Sequence, residues 1–64
     1  MDQENLRVLR GKEVQQKTGL SRTTLYLLMK QGKFPKSIKL TQRSRGWLST
    51  DVNQWILDRA TGKG

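Results

Sequence analysis

Apolar residues recur along the chain in short groups, and their spacing changes from segment to segment. Leu6 and Val8 flank a polar residue, and this alternation predicts a short extended entry that reaches Leu9. From residue 11 to 17 the spacing becomes helical, with Val14 as the inward anchor. The chain therefore opens with an extended segment and one short helix.

A second helix is predicted over residues 22–31, where Leu25, Leu28 and Met29 form one apolar stripe. Gly32 and the Phe-Pro pair at residues 34–35 end it. Ahead of it, Gly19 suits the left-handed end of the first helix, and Ser21 is a good N-cap. Two short helices joined by such a turn cross steeply, as in a helix-turn-helix. That crossing needs apolar residues at the positions filled here by Val14, Leu20, Leu25 and Leu28.

Residues 38–40 and 45–48 are two candidate strands around the polar loop 41–44, which predicts a hairpin. Ser49 or Thr50 is expected to cap a third helix that runs to about residue 59. Its inner face and the hairpin supply apolar residues expected to be buried, namely Trp47, Val52, Trp55 and Ile56. The predicted fold is mostly α with a small β-hairpin: a winged helix-turn-helix of three short helices plus a wing, over residues 6–60. A disordered lead-in (1–5) and a flexible tail (61–64) are expected to flank it.

The net charge of the chain limits the class of partner that it is expected to bind. The 64 residues carry 13 Lys and Arg against 5 Asp and Glu, a net charge of +8, with no acid between Glu13 and Asp51. So positive a surface attracts polyanions, and double-stranded DNA is the expected partner. The chain has no Cys and no His, so no enzyme activity, metal or cofactor is expected. No apolar stretch is long enough to cross a membrane, and a cytoplasmic, nucleoid-associated location in a bacterial host is expected.

The predicted DNA-binding residues lie on the second helix and the hairpin. Side chains on the outward face of the helix can reach base edges, and arginines around the hairpin loop can lie along the backbone or in a minor groove. Tyr26 is expected in this contact, with partial burial as the alternative. A stacking platform for single strands is disfavoured because both tryptophans are expected in the core. The full set is Ser21, Arg22, Thr23, Tyr26, Lys30, Lys36, Lys39, Arg43, Ser44 and Arg45.

Several blocks of this sequence resemble the AlpA family of phage and prophage regulators, whose winged helix-turn-helix is related to the MerR and excisionase folds. The blocks are Leu9-Arg10, Glu13-Val14, Thr18-Gly19-Leu20-Ser21-Arg22-Thr23-Thr24-Leu25-Tyr26, Gly32-Lys33-Phe34-Pro35-Lys36, Gly46-Trp47-Leu48, Val52 and Trp55-Ile56. The resemblance covers about residues 6–59. It implies binding to promoter or attachment-site DNA, with a recognition helix over residues 21–30 and a wing at about 41–45. Leu27 departs from the family, which often has a basic or polar residue there.

Two regulatory roles share this DNA-binding act. One is a transcriptional regulator, with RNA polymerase as a candidate partner; the other is an excisionase-like factor that bends attachment-site DNA for an integrase. Because one small module buries only about 600–1,000 Å² on DNA, self-association or cooperative binding is expected. A third alternative is a protein-interaction module that docks through exposed Leu27.

Overall fold

The computed structural model describes residues 6–62. It contains three helices and three short strands, which confirms the mostly α fold with a small β wing. In chain order they are β1 (Val8–Leu9), α1 (Gly11–Thr18), α2 (Arg22–Lys30), β2 (Ile38–Lys39), β3 (Arg45–Leu48) and α3 (Ser49–Ala60). The lead-in expected over residues 1–5 and the last two residues of the expected tail lie outside the described residues.

The strands form one antiparallel sheet in the order β1-β3-β2. The hairpin between β2 and β3 is as predicted. β1 lies in the predicted extended entry, but its pairing with β3 as a third strand was not predicted. Leu9 lies opposite Trp47, and both side chains are buried. The sheet therefore turns one face toward the helices, and this face supplies part of the core.

Six residues fill this core, contributed by every helix, by two strands and by the segment between α2 and β2: Leu9, Val14, Leu25, Phe34, Trp47 and Val52. The prediction for α3 is only partly correct, because Trp55 and Ile56 are half-buried rather than buried. Both line an open concavity between α3 and the ends of the first two helices, so one side of each remains accessible.

The turn between α1 and α2 is as predicted. Gly19 ends α1 in the left-handed conformation, with φ +76°, and its N–H donates to the Gln15 carbonyl at 2.8 Å. The hydroxyl of Ser21 accepts from the Thr24 N–H at 3.1 Å, which caps α2. These contacts fix the angle at which α2 leaves the first helix.

The cap predicted for α3 is wrong. The chain passes directly from β3 into α3, with Leu48 at the N-cap and no side-chain cap. The Ser49 hydroxyl instead accepts from the Arg7 N–H at 2.8 Å, and the Ser49 N–H donates to the Arg7 carbonyl at 2.7 Å. Ser49 therefore extends the pairing of β1 with β3 by one residue.

Candidate nucleic-acid interface

The outward face of α2 carries Arg22, Tyr26 and Lys30 at four-residue intervals, with Thr23 beside them. Residues at this spacing lie on one side of a helix. All four are exposed, and 47% of Tyr26 is accessible. The Arg22 guanidinium lies 5.7 Å from the centre of the Tyr26 ring, so a cation and an aromatic edge are presented together.

The loop of the wing is closed by its own backbone. The Leu40 N–H donates to the Ser44 carbonyl at 2.8 Å, and the Arg43 N–H donates to the Thr41 hydroxyl at 3.2 Å. This turn leaves Arg43 exposed and Ser44 half-buried. Just after the loop, the Nε–H of Arg45 donates to the Ser37 hydroxyl at 2.9 Å. The bond directs the Arg45 guanidinium, whose terminal nitrogens remain the groups suited to a phosphate.

An open groove joins α2 to the wing. Tyr26 from α2, Arg43 and Arg45 from the wing, and the start of α1 all line it, and its floor includes Trp47. The complete lining is Arg10, Gly11, Lys12, Tyr26, Arg43, Arg45 and Trp47. Four cations and no carboxylate therefore surround one concave surface, which is an arrangement that attracts a phosphate backbone.

Arg10 and Lys12 are the groove residues that sequence reasoning missed. Their charge was visible in the sequence, but their place beside the wing depends on how α1 packs against the sheet. The nearby Glu13 carboxylate accepts from the Arg10 N–H at 2.9 Å and pairs with Arg7 at 3.2 Å. This acid is therefore engaged at the start of α1 and is not part of the groove lining.

The other predicted residues lie around the groove rather than in it. Lys39 lies opposite Arg45 in the hairpin. Ser21 lines an adjoining concavity together with Lys12 and Gln16, so the start of α2 is continuous with the basic surface through Lys12. Six predicted residues are exposed but do not line the groove within residues 6–62: Ser21, Arg22, Thr23, Lys30, Lys36 and Lys39. Half-buried Ser44 does not line it either.

Two indole groups anchor the segment between α2 and the wing, one from β3 and one from α3. The Nε1–H of Trp47 donates to the Pro35 carbonyl at 3.2 Å, and that of Trp55 donates to the Lys33 carbonyl at 2.9 Å. Between these carbonyls, the Phe34 ring packs 4.9 Å from that of Trp55. Trp47 is only 2% exposed, which confirms its predicted place in the core and removes it as a stacking surface.

Neither a candidate metal cluster nor a membrane-spanning helix occurs among the described residues. Among residues 6–62, no group of three or more His, Cys, Asp or Glu side chains could hold a metal ion. No helix in the same range is long and apolar enough to span a membrane.

Residues 7–60 match the family described as prophage CP4-57 regulatory protein (AlpA). The match takes in all three helices and the whole sheet. The chain belongs to the AlpA family. This agrees with the resemblance carried by the glycine turn of the helix-turn-helix and by the Gly-Trp block of the wing.

Two curated proteins are similar to this AlpA-family chain. An uncharacterized protein, ORF88, of enterobacteria phage P4 is 39% identical over 57 residues, which cover 89% of this chain and 65% of that protein. The DNA-binding transcriptional activator AlpA of Escherichia coli K12 is 33% identical over 60 residues, covering 84% of this chain and 86% of that protein. The chain thus spans just under two thirds of the length of the phage protein. No solved structure matches it.

Proposed function

We propose that this protein is a sequence-specific regulator that binds double-stranded DNA, with α2 in a major groove and the wing on the adjacent backbone or minor groove. The observation that carries the proposal is the basic groove, where Tyr26 of α2 meets Arg43 and Arg45 of the wing. The name of the similar E. coli protein, a DNA-binding transcriptional activator, supports the same function.

Each part of the interface has its own role in this proposal. A major groove about 12 Å wide admits a helix, and Arg22 and Thr23 near the start of α2 are suited to base edges there. Arg10, Lys12 and Arg43 neutralise phosphates, which positions the protein without reading sequence. The hydrogen bond between Arg45 and Ser37 holds one wing guanidinium ready before DNA arrives.

The first test is a titration of the protein with genomic DNA fragments at several salt concentrations, followed by footprinting. We expect a defined footprint and an affinity that falls steeply as salt rises, because bound phosphates release their counterions on complex formation. Weak binding without sequence preference would contradict the proposal. It would favour a protein-docking role instead, with Leu27, which is 51% exposed on α2, as the residue to examine.

A matched pair of lysines on α1 makes the test specific to the groove. Lys12→Gln removes a groove cation, and we expect it to reduce the slope of log affinity against log salt by about 1. Lys17→Gln removes the same charge from the same helix, but Lys17 lines the concavity beside Trp55 instead. We expect its slope to stay near that of the unaltered protein. Equal slopes for the two variants would remove the groove from the DNA interface.

The position of the footprint separates the two regulatory roles. Protection at a promoter fits a transcriptional regulator that recruits or blocks RNA polymerase. Protection at an attachment site, with bending of the DNA, fits an excisionase-like factor that assists an integrase. The same groove and recognition helix serve both roles.

A further inference from the structure

The concavity between α3 and the ends of the first two helices has an apolar floor. Its volume is about 570 Å³, which lies within the range of about 300–1,000 Å³ that is typical of binding pockets. The floor consists of half-buried side chains that pack against the core on one side and face the concavity on the other: Leu20, Leu28, Trp55 and Ile56. Residues 6–62 therefore leave an apolar surface of pocket size open.

Two cations stand beside this floor, and no carboxylate from residues 6–62 lines the concavity. Lys17 comes from the last turn of α1 and Arg59 from the last turn of α3, and both are exposed. Asp58 lines a neighbouring concavity with Arg59, but its carboxylate accepts from the Gln54 side chain at 2.9 Å. Neither cation forms an ion pair within residues 6–62. We call the four floor residues and these two cations the rear concavity.

Arg59 is held in place for binding an anion. Its guanidinium lies over the Trp55 ring, 4.8 Å from the ring centre. The indole is itself anchored, because its Nε1–H donates to the Lys33 carbonyl at 2.9 Å. A guanidinium over an aromatic face keeps its N–H groups at the edge, where they form the fork that matches a carboxylate. The rear concavity thus combines an apolar floor with an ordered carboxylate-binding group.

The walls of the rear concavity determine the backbone conformation of its occupant. They are helices and the turn between two of them, and no strand from residues 6–62 contributes to them. Helical N–H and C=O groups are bonded within the helix, so they offer few partners to an extended peptide, whose own polar groups would lose water without replacement. A helix satisfies its own backbone and places an apolar face in a groove through residues three and four positions apart.

We propose that the rear concavity binds an acidic amphipathic helix of a partner protein. Apolar side chains of that helix cover the floor, and one of its carboxylates pairs with Arg59 while a second lies near Lys17. The charge of +8 on this chain favours an acidic partner and opposes a second copy of the chain in the same place.

Helix α2 separates the rear concavity from the basic groove. Leu28 lines the concavity and Tyr26 lines the groove, and residues two apart are about 200° apart around a helix axis. A partner helix in the rear concavity therefore leaves the groove open. The concavity binds such a helix whether or not α2 contacts DNA, so this binding does not rest on the proposed function.

The probe is a synthetic helical peptide of about 18 residues, long enough to form a helix, with Leu on one face and Glu on the flanks. One control peptide has Lys in place of Glu, and the other has Ser in place of Leu. The readout is the pair of indole N–H signals of the ¹⁵N-labelled protein. We expect the acidic peptide to shift the Trp55 signal and to leave that of Trp47, which is 2% exposed, unchanged. We expect neither control peptide to shift the Trp55 signal.

Variants at Arg59 separate a specific carboxylate pair from general attraction by charge. We expect Arg59→Gln to weaken binding of the acidic peptide roughly tenfold, because charge-assisted hydrogen bonds are lost. Arg59→Lys keeps the charge but loses the planar fork, and we expect a loss of roughly fivefold. Lys12→Gln is the matched control, since it removes one exposed charge from the basic groove instead. We expect its peptide affinity to stay within about twofold. An unchanged Trp47 signal shows that each variant is folded.

Three outcomes would overturn the proposal. The first is equal loss of peptide affinity in Arg59→Gln and Lys12→Gln, because the peptide would then respond only to total charge. The second is a Trp55 signal that does not shift at peptide concentrations up to about 1 mM. The third is a Trp55 signal that moves with protein concentration alone, which would assign the concavity to a second copy of the chain. The DNA footprint tests the proposed function separately, so the two can fail independently.

Discussion

Gly46 is the residue above which side chains from the two sides of β3 approach each other. Its missing side chain leaves room for Val8 and Leu40 on the outer face, and the Leu9 carbonyl lies 3.0 Å from where a Cβ would be. The side chains can move, but the carbonyl belongs to the backbone of β1. The position therefore excludes any larger residue unless β1 itself shifts.

We expect Gly46→Ala to lower the free energy of unfolding by about 1–3 kcal/mol, because the added methyl group overpacks the sheet. Gly11→Ala is the control: a Cβ at Gly11 meets nothing within 4 Å, and the residue begins α1. We expect that variant to be neutral or up to about 1 kcal/mol more stable, since Ala favours helices. Urea unfolding measures both. Similar stabilities for the two variants would mean that β1 adjusts without cost.

Sequence patterns predicted residues whose roles are local and missed those whose roles depend on distant partners. Gly19 and Ser21 act on neighbouring backbone groups, so their positions in the turn were enough to identify them. Ser49 has the residue type and the position of a helix cap, but it pairs with Arg7, 42 residues away. Arg10 reaches the groove only because α1 packs beside the wing. Neither the pairing of Ser49 with Arg7 nor the packing of α1 beside the wing produces a periodic pattern in the sequence.

At the scale of elements, α2 and the wing are joined by one groove but have different tasks in the proposed complex. Helix α2 is long enough to lie in a major groove, while the short loop of the wing, residues 40–44, is suited to backbone or minor-groove contacts. The sequence predicted both elements. It did not predict β1 as a third strand, because a two-residue strand is too short for its alternation to specify a partner.

This division of tasks predicts different outcomes for two Arg→Ala variants. We expect Arg22→Ala to reduce discrimination between the specific site and other DNA by about 1–3 kcal/mol, because a base contact is lost. We expect Arg43→Ala to weaken binding to all sequences nearly equally, because a phosphate contact is lost. Competition binding with specific and random duplexes separates the two effects. A uniform loss for both variants would show that recognition is not concentrated on α2.

At the scale of the whole molecule, positively charged side chains outnumber negatively charged ones, and ion pairs between them are few within residues 6–62. Within residues 6–62 there is one ion pair, between the exposed side chains of Arg7 and Glu13. An exposed pair of this kind contributes little to stability. Repulsion among the cations is therefore the larger electrostatic effect on the folded state.

We expect added salt to have opposite effects on folding and on DNA binding. Between about 50 mM and 500 mM salt, screening of the repulsion should raise the melting temperature of the free protein. Over the same range the affinity for DNA should fall. Thermal unfolding followed by circular dichroism and binding titrations in matched buffers measure the two trends. A melting temperature that fell with salt would mean that attractive pairs outweigh the repulsion.

In the proposed complex, the bonds that Trp47 and Trp55 donate to the carbonyls of Pro35 and Lys33 have a consequence for the DNA. These bonds hold the segment between α2 and the wing. A change in the distance between the proposed DNA contacts of α2 and of the wing would therefore require breaking them. Any mismatch with straight B-form DNA must then be absorbed by the duplex. We therefore expect preferred sites to have flexible pyrimidine–purine steps between the two contacted stretches, at base pairs that no side chain touches.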